Sequence, residues 1–133
     1  WGVDSANWVL PAGGPAPPSP GQTTAFHLGH GLLDKFGPNV IPREGTRLAV
    51  LSSGTARQPI DPGYLSPDGY DKGYEHSSPP GFPVETPACP GVITGAAHDG
   101  TAIELTLQVP AGATGFIFDS AFYTYEYPDF ICS

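Results

Sequence analysis

The chain has 133 residues, room for one domain, with a formal net charge of −8 and only 14% charged residues. Gly (18) and Pro (17) are frequent enough for long loops, while 39% apolar content is too high for a disordered chain, so a folded, loop-heavy, β-leaning domain is expected. Residues 1–60 set three acids against four cations and residues 61–133 set ten acids against Lys72 alone; with no basic stripe for phosphates, nucleic acid is excluded as a partner class.

The acidic half suits a cation, a basic partner or plain solubility. No run near 20 apolar residues is present, so no membrane span and no signal peptide are expected. The absence of Met and the start at Trp1 suggest a processed or truncated chain.

In chain order, WGVDSANWVL is expected to form a short strand or a packed arm, and the Pro-rich stretch 11–20 an extended linker. Together they make residues 1–22 an arm and linker ahead of a β-rich domain over 23–133. TTAFHLGHGLLDKFG predicts a short helix capped by Thr23 or Thr24, with Phe26, Leu32, Leu33 and Phe36 as its apolar face and Gly37 as its stop. Gly29 and Gly31 weaken that helix. TRLAVLSSG reads as a strand with Leu48, Val50 and Ser52 on one face.

Residues 53–90 show no sustained period and are rich in turn signals (DPG, SPDG, PPG). Tyr64, Tyr70, Tyr74 and Phe82 argue that this loop packs on something. GVITG reads as a short strand, and HDGT as a hairpin turn centred on Asp99-Gly100. AIELTLQVP alternates cleanly, with Ile103, Leu105, Leu107 and Val109 inward. GFIFDSAFYTYEYPDF has apolar side chains on both faces and predicts a central strand ended by Pro128. The expected fold is all-β, an antiparallel sandwich or jelly roll with one short helix and long Pro/Gly-rich loops.

Cys89 and Cys132 are compatible with one disulfide, which would close a loop of about 44 residues and contribute roughly 3–4 kcal/mol. Pairing with a cysteine of another chain and two free buried thiols are the alternatives. Their spacing fits no zinc motif.

VPAGATGFIFDSAFYTYEYPDF, residues 109–130, resembles the signature of the secreted bacterial choice-of-anchor L domains, a Val-Pro-x-Gly-Ala run followed by Phe-Asp-Phe-x-Phe-x-Ser-Glu-Glu-Tyr-Pro-Glu-Phe. IPREGTRLAVLSSGTA and PACPGV are similar to a proline- and cysteine-bearing variant of that family, less specifically. The resemblance implies an extracellular β-rich surface module. It also implies that further strands follow the position of Ser133 in the family, so this chain would be the front portion of a larger domain. Tyr125 stands where the family often has Glu, which weakens transfer of an acidic site.

Three carboxylates, Asp119, Glu126 and Asp129, are candidate ligands for calcium, which takes six to eight oxygens. Asp119 and Glu126 point to opposite faces of a regular strand, so they share a site only across a bulge. The plain alternative is an Asp119 bonded to neighbouring amides and two solvated acids. The acidic loop DPGYLSPDGYDKGYEH lacks EF-hand spacing and reads as solvated. His27 and His30, spaced i, i+3, lack the Glu of a metalloprotease motif, and neither SSG nor SSP forms a nucleophile elbow. Tyr123, Tyr125 and Tyr127, with Tyr70 and Tyr74, are candidates for a partner or ligand surface, against the alternative of core packing.

The expected function is therefore an extracellular structural or adhesive surface module with a calcium site, completed by a companion chain or by the C-terminal remainder of its own precursor. Its targets would be a glycan or a cell-surface protein. A fragment of a self-cleaving precursor or secreted hydrolase, and a glycan-binding module, are the alternatives.

Overall fold

The computed structural model describes residues 2–66 and 70–124. Among them the chain is β-rich with one short helix and forms no closed barrel. Strand β1 (Gly2–Val9) pairs antiparallel with β6 (Ala102–Gln108). Helix α1 (Pro20–Leu28) leads into β2 (His30–Leu33), which pairs antiparallel with β3 (Leu48–Leu51). The two-residue strands β4 (Glu75–His76) and β5 (Ala97–His98) make a third antiparallel pair. The described strands thus form three two-stranded sheets.

The β1–β6 ribbon has one apolar and one polar face, and a bulge makes this so. The register places Val3 opposite Leu107, Ala6 opposite Leu105 and Trp8 opposite Ile103, while Asn7 faces Glu104 and Ser5 faces Thr106. Val3 is odd-numbered and Ala6 and Trp8 are even, so strict alternation would separate them. The irregularity between Val3 and Ser5 leaves Asp4 unpaired and shifts the phase by one residue. All three then share a face with the apolar residues of β6. Of the strand and the packed arm expected for WGVDSANWVL, the chain forms the strand.

Helix α1 starts earlier than expected. Ser19 is its N-cap and Pro20, whose missing N–H costs nothing in the first turn, is its first residue. Thr23 and Thr24 lie inside the helix and bond back to the carbonyls of Ser19 and Pro20. The helix stops at Gly29 rather than Gly37, because the chain needs Leu32 and Leu33 as strand residues. Gly29 has an ordinary φ of −75, so its requirement is steric. A Cβ there would collide with Lys72 Nζ and lie 3.0 Å from the Ser52 carbonyl oxygen. Backbone bonds from Ser52 to Gly29 and from Ala56 to Leu28 carry the β2–β3 pairing back to the helix end.

The core is small. Phe26 and Ala56 are fully buried, joined by Val50, Tyr74 and Cys89, with His30, Lys72 and Asp99 buried beside them. The Pro-rich stretch contributes to it, since Pro17 is buried and its carbonyl accepts a hydrogen bond from Thr23 Oγ1.

Several expectations fail. Asp99-Gly100 is a turn, with Asp99 at φ +56, but it does not close a hairpin. β5 on one side pairs with β4 and β6 on the other pairs with β1, so the turn hands the chain from one sheet to another. GVITG is irregular, and Ile93 is 87% exposed. Residues 115–124 form no strand, and Phe116, Ile117, Phe118, Phe122 and Tyr123 are exposed rather than covered on both sides. The alternation of β6 is correct, yet Leu105 is 47% exposed and Val109, beyond the strand, 56%.

Candidate functional site

Among the described residues, the apolar face of the β1–β6 ribbon is covered at one end only. At the Trp8 end, the indole stacks on the His30 ring at 4.4 Å and 17°, and His30 meets Phe26 edge-on at 5.2 Å. Toward Val3 and Leu107 the face opens into a groove of about 1230 Å³ lined by Ile103, Leu105, Leu107 and the segment Thr114–Phe118. Phe116 and Phe118 stack on each other at 6.2 Å along its wall. The groove is lined by every second residue of β6, a spacing that suits the side chains of another β-sheet.

Beneath the covered end lies a polar knot. Lys72 is 4% exposed, and its Nζ donates to the carbonyl oxygens of Asp99 at 2.7 Å and Ser52 at 3.0 Å. The Asp99 carboxylate in turn accepts from the backbone amides of Lys72 at 2.9 Å and Tyr74 at 3.4 Å. Tyr74 Oη donates to the Gly100 carbonyl, and Gly100 N–H donates to His76 Nε2 at 3.0 Å. His76 Nδ1 lies 3.0 Å from the Ser77 carbonyl oxygen, an acceptor, while Nε2 accepts from Gly100. The two bonds of the Lys72 ammonium among the described residues thus go to protein carbonyls and join three chain segments.

Burial governs the electrostatics here. Desolvation lowers Lys72 from 10.5 to about 8, against an opposing pull from Asp99. His30 is pushed from 6.5 to about 4 by burial first, then by electrostatic interaction with His27, Arg57 and Lys72. Its Nε2 lies 3.0 Å from His27 Nδ1, a contact that needs one of the two nitrogens bare. Burial also raises Tyr74 to about 12, with Asp99 and Tyr70 adding to it, and raises Tyr70 with help from Asp99.

The residues singled out in the sequence scatter. Asp119 is exposed, and its Oδ2 accepts from Arg43 Nη1 at 2.6 Å in a surface ion pair. Glu126, Asp129, Tyr125, Tyr127 and Cys132 lie outside the described residues. Among the described residues no three His, Cys, Asp or Glu side chains gather closely enough to hold a metal ion. Tyr74 is 4% exposed and belongs to the core, Tyr70 is half-buried, and Tyr123 is exposed with its ring 5.7 Å from that of Phe36. Cys89 is buried and is not a free thiol. Sequence reasoning missed the Lys72–Asp99 knot; the signal was a single Lys in a strongly acidic half-chain. No helix among the described residues is long and apolar enough to cross a membrane. No family model, curated protein or solved structure matches this chain.

Proposed function

We propose that this chain is a structural or adhesive module of an extracellular bacterial surface protein, in which the β1–β6 ribbon is completed by a second apolar sheet. That sheet would come from the C-terminal remainder of the same precursor, giving the sandwich expected from the sequence. The observation that carries the reading is the groove over Ile103, Leu105 and Leu107. An isolated two-stranded ribbon is marginal in water and needs more strands or a packed layer. Contiguous open apolar surface of this kind marks an interaction site. The resemblance of residues 109–130 to choice-of-anchor L domains supports the same reading, since the groove wall falls within that segment. A Cys89–Cys132 disulfide would then anchor the far end of the segment to the core. Calcium binding by Asp119, with Glu126 and Asp129, belongs to the proposal and requires the ion to displace the Arg43 guanidinium.

The test uses the chain by itself. An environment-sensitive apolar dye should bind with a strong rise in fluorescence, and Leu105→Lys should abolish most of that rise without loss of secondary structure. Sedimentation should show self-association that Leu105→Lys reduces. A monomer that binds no dye, with β6 amides fully protected from hydrogen exchange, would refute the open-face reading. For calcium, a melting temperature that does not move between added calcium and chelator would remove the metal from the proposal.

A further inference from the structure

A second cavity, of about 400 Å³ and sharing no lining residue with the groove, opens between β2 and the loop after β3. That volume lies within the ~300–1,000 Å³ range of small-molecule sites. It is lined by Gly31, Leu32, Leu33, Asp34, Arg47, Arg57, Asp61 and Pro62. Its two guanidiniums are held by carbonyl oxygens. Arg57 Nη1 donates to the His30 and Ala56 carbonyls at 2.8 and 2.7 Å, and Nη2 to the His27 carbonyl at 3.2 Å. Arg47 Nη1 donates to the Leu32 carbonyl at 3.1 Å. Neither takes part in an ion pair among the described residues, where Arg43–Asp119 and His98–Glu75 are the pairs present.

The backbone makes room for this arrangement. A Cβ on Gly31 would lie 2.9 Å from Arg57 Nη1, so the strand carries glycine where the guanidinium crosses it. Two positioned guanidiniums with no carboxylate in contact favour an anion; Arg47, with one bond made, presents most of its planar fork, while Arg57, with both Nη1 hydrogens and one Nη2 hydrogen on carbonyls, keeps Nε–H and the second Nη2–H. Asp34 and Asp61 in the same cavity can accept from hydroxyl groups; Asp61 Oδ2 already holds the Gln58 amide at 2.7 Å, leaving Oδ1. Leu32, 56% exposed, with Leu33 and Pro62, offers aliphatic surface for the C–H face of a ring.

The geometry points to a binding site for a carboxylated sugar, a uronic-acid unit, with Arg47 and Arg57 on its carboxylate and Asp34 and Asp61 on its hydroxyls. This site stands apart from the groove of the proposed function, so either reading can fail alone.

The test is titration of the isotope-labelled chain with glucuronate, glucose, acetate and inorganic phosphate, followed by amide chemical shifts. Glucuronate should bind saturably and shift amides at 31–34, 47, 57 and 61. Glucose, acetate and phosphate should each bind at least ten-fold more weakly. Arg47→Gln should weaken glucuronate at least ten-fold while the spectrum elsewhere stays unchanged; Arg47 is exposed and makes a single bond, so its loss leaves the fold intact. Gly31→Ala, which displaces Arg57, should weaken binding similarly. Absence of saturable shifts, equal binding of phosphate or acetate, equal binding of glucose, or affinity indifferent to Arg47→Gln would each overturn the assignment.

Discussion

Acid should loosen this protein through His30. The ring is 7% exposed, sandwiched between Trp8 and Phe26, with His27, Arg57 and Lys72 as the charged or titratable groups facing it. Its pKa falls from 6.5 to about 4 on folding. A base whose folded pKa is lowered binds fewer protons folded than unfolded in the interval between the two values. Stability therefore rises with pH from about 4 to 6.5 and is lost as pH falls through that window. At about 1.4 kcal/mol per tenfold, the loss between pH 6.5 and pH 4 approaches ~3 kcal/mol, a large share of a small domain's stability. Urea unfolding at pH 7, 5.5 and 4, read by tryptophan fluorescence, measures it. His30→Gln removes the titrating ring, so it should be less stable at pH 7 but should lose much less between pH 6.5 and 4. A variant whose stability falls with acid as steeply as the parent would refute the reasoning.

Lys72 predicts the opposite end of the scale. Its folded value of about 8 lies below the unfolded 10.5, so stability should rise between those pH values, until Tyr74, raised from 10.0 to about 12, reverses the trend above pH 10. Unfolding midpoints from pH 7 to 11 should show that maximum, and Lys72→Met should flatten the rising limb while costing about 1–3 kcal/mol for two carbonyls left without a donor. Gly29→Ala should destabilise by about 1–3 kcal/mol, because its Cβ meets the Lys72 ammonium, whereas Gly21→Ala, in the same helix with open space around it, should be neutral or stabilising by up to ~1 kcal/mol. Thermal melts of the two variants separate the steric effect from helix propensity. Asp119→Asn should cost under ~1 kcal/mol, less still in high salt, because the Arg43 pair is exposed on both sides.

Local pattern determined a good part of this molecule. β6 was legible because alternation over AIELTLQ needs no information beyond the strand's own period. The β3 strand was legible for a similar reason, and the turn at Asp99-Gly100 followed from residues that tolerate positive φ. Tertiary pairing decided what those elements do. The chain leaving Asp99 joins β1, a hundred residues away in sequence, so a plausible hairpin turn became a hinge between sheets. β1 hid its amphipathic character because the phase slips at Asp4, and a bulge shows itself only once a partner strand fixes the register. The helix ended eight residues early because residues 30–33 are taken up in pairing with β3, and the residue between helix and strand is glycine because it passes a buried ammonium supplied by a loop 43 residues further on. The candidate sites divide in the same way. The apolar residues of the groove were visible in the sequence, but their openness was not, since hydrophobic pattern states what needs covering and only the assembled chain states what covers it. Nor does a sequence show that Arg47 and Arg57 line one cavity, because that depends on which carbonyl oxygens hold each guanidinium.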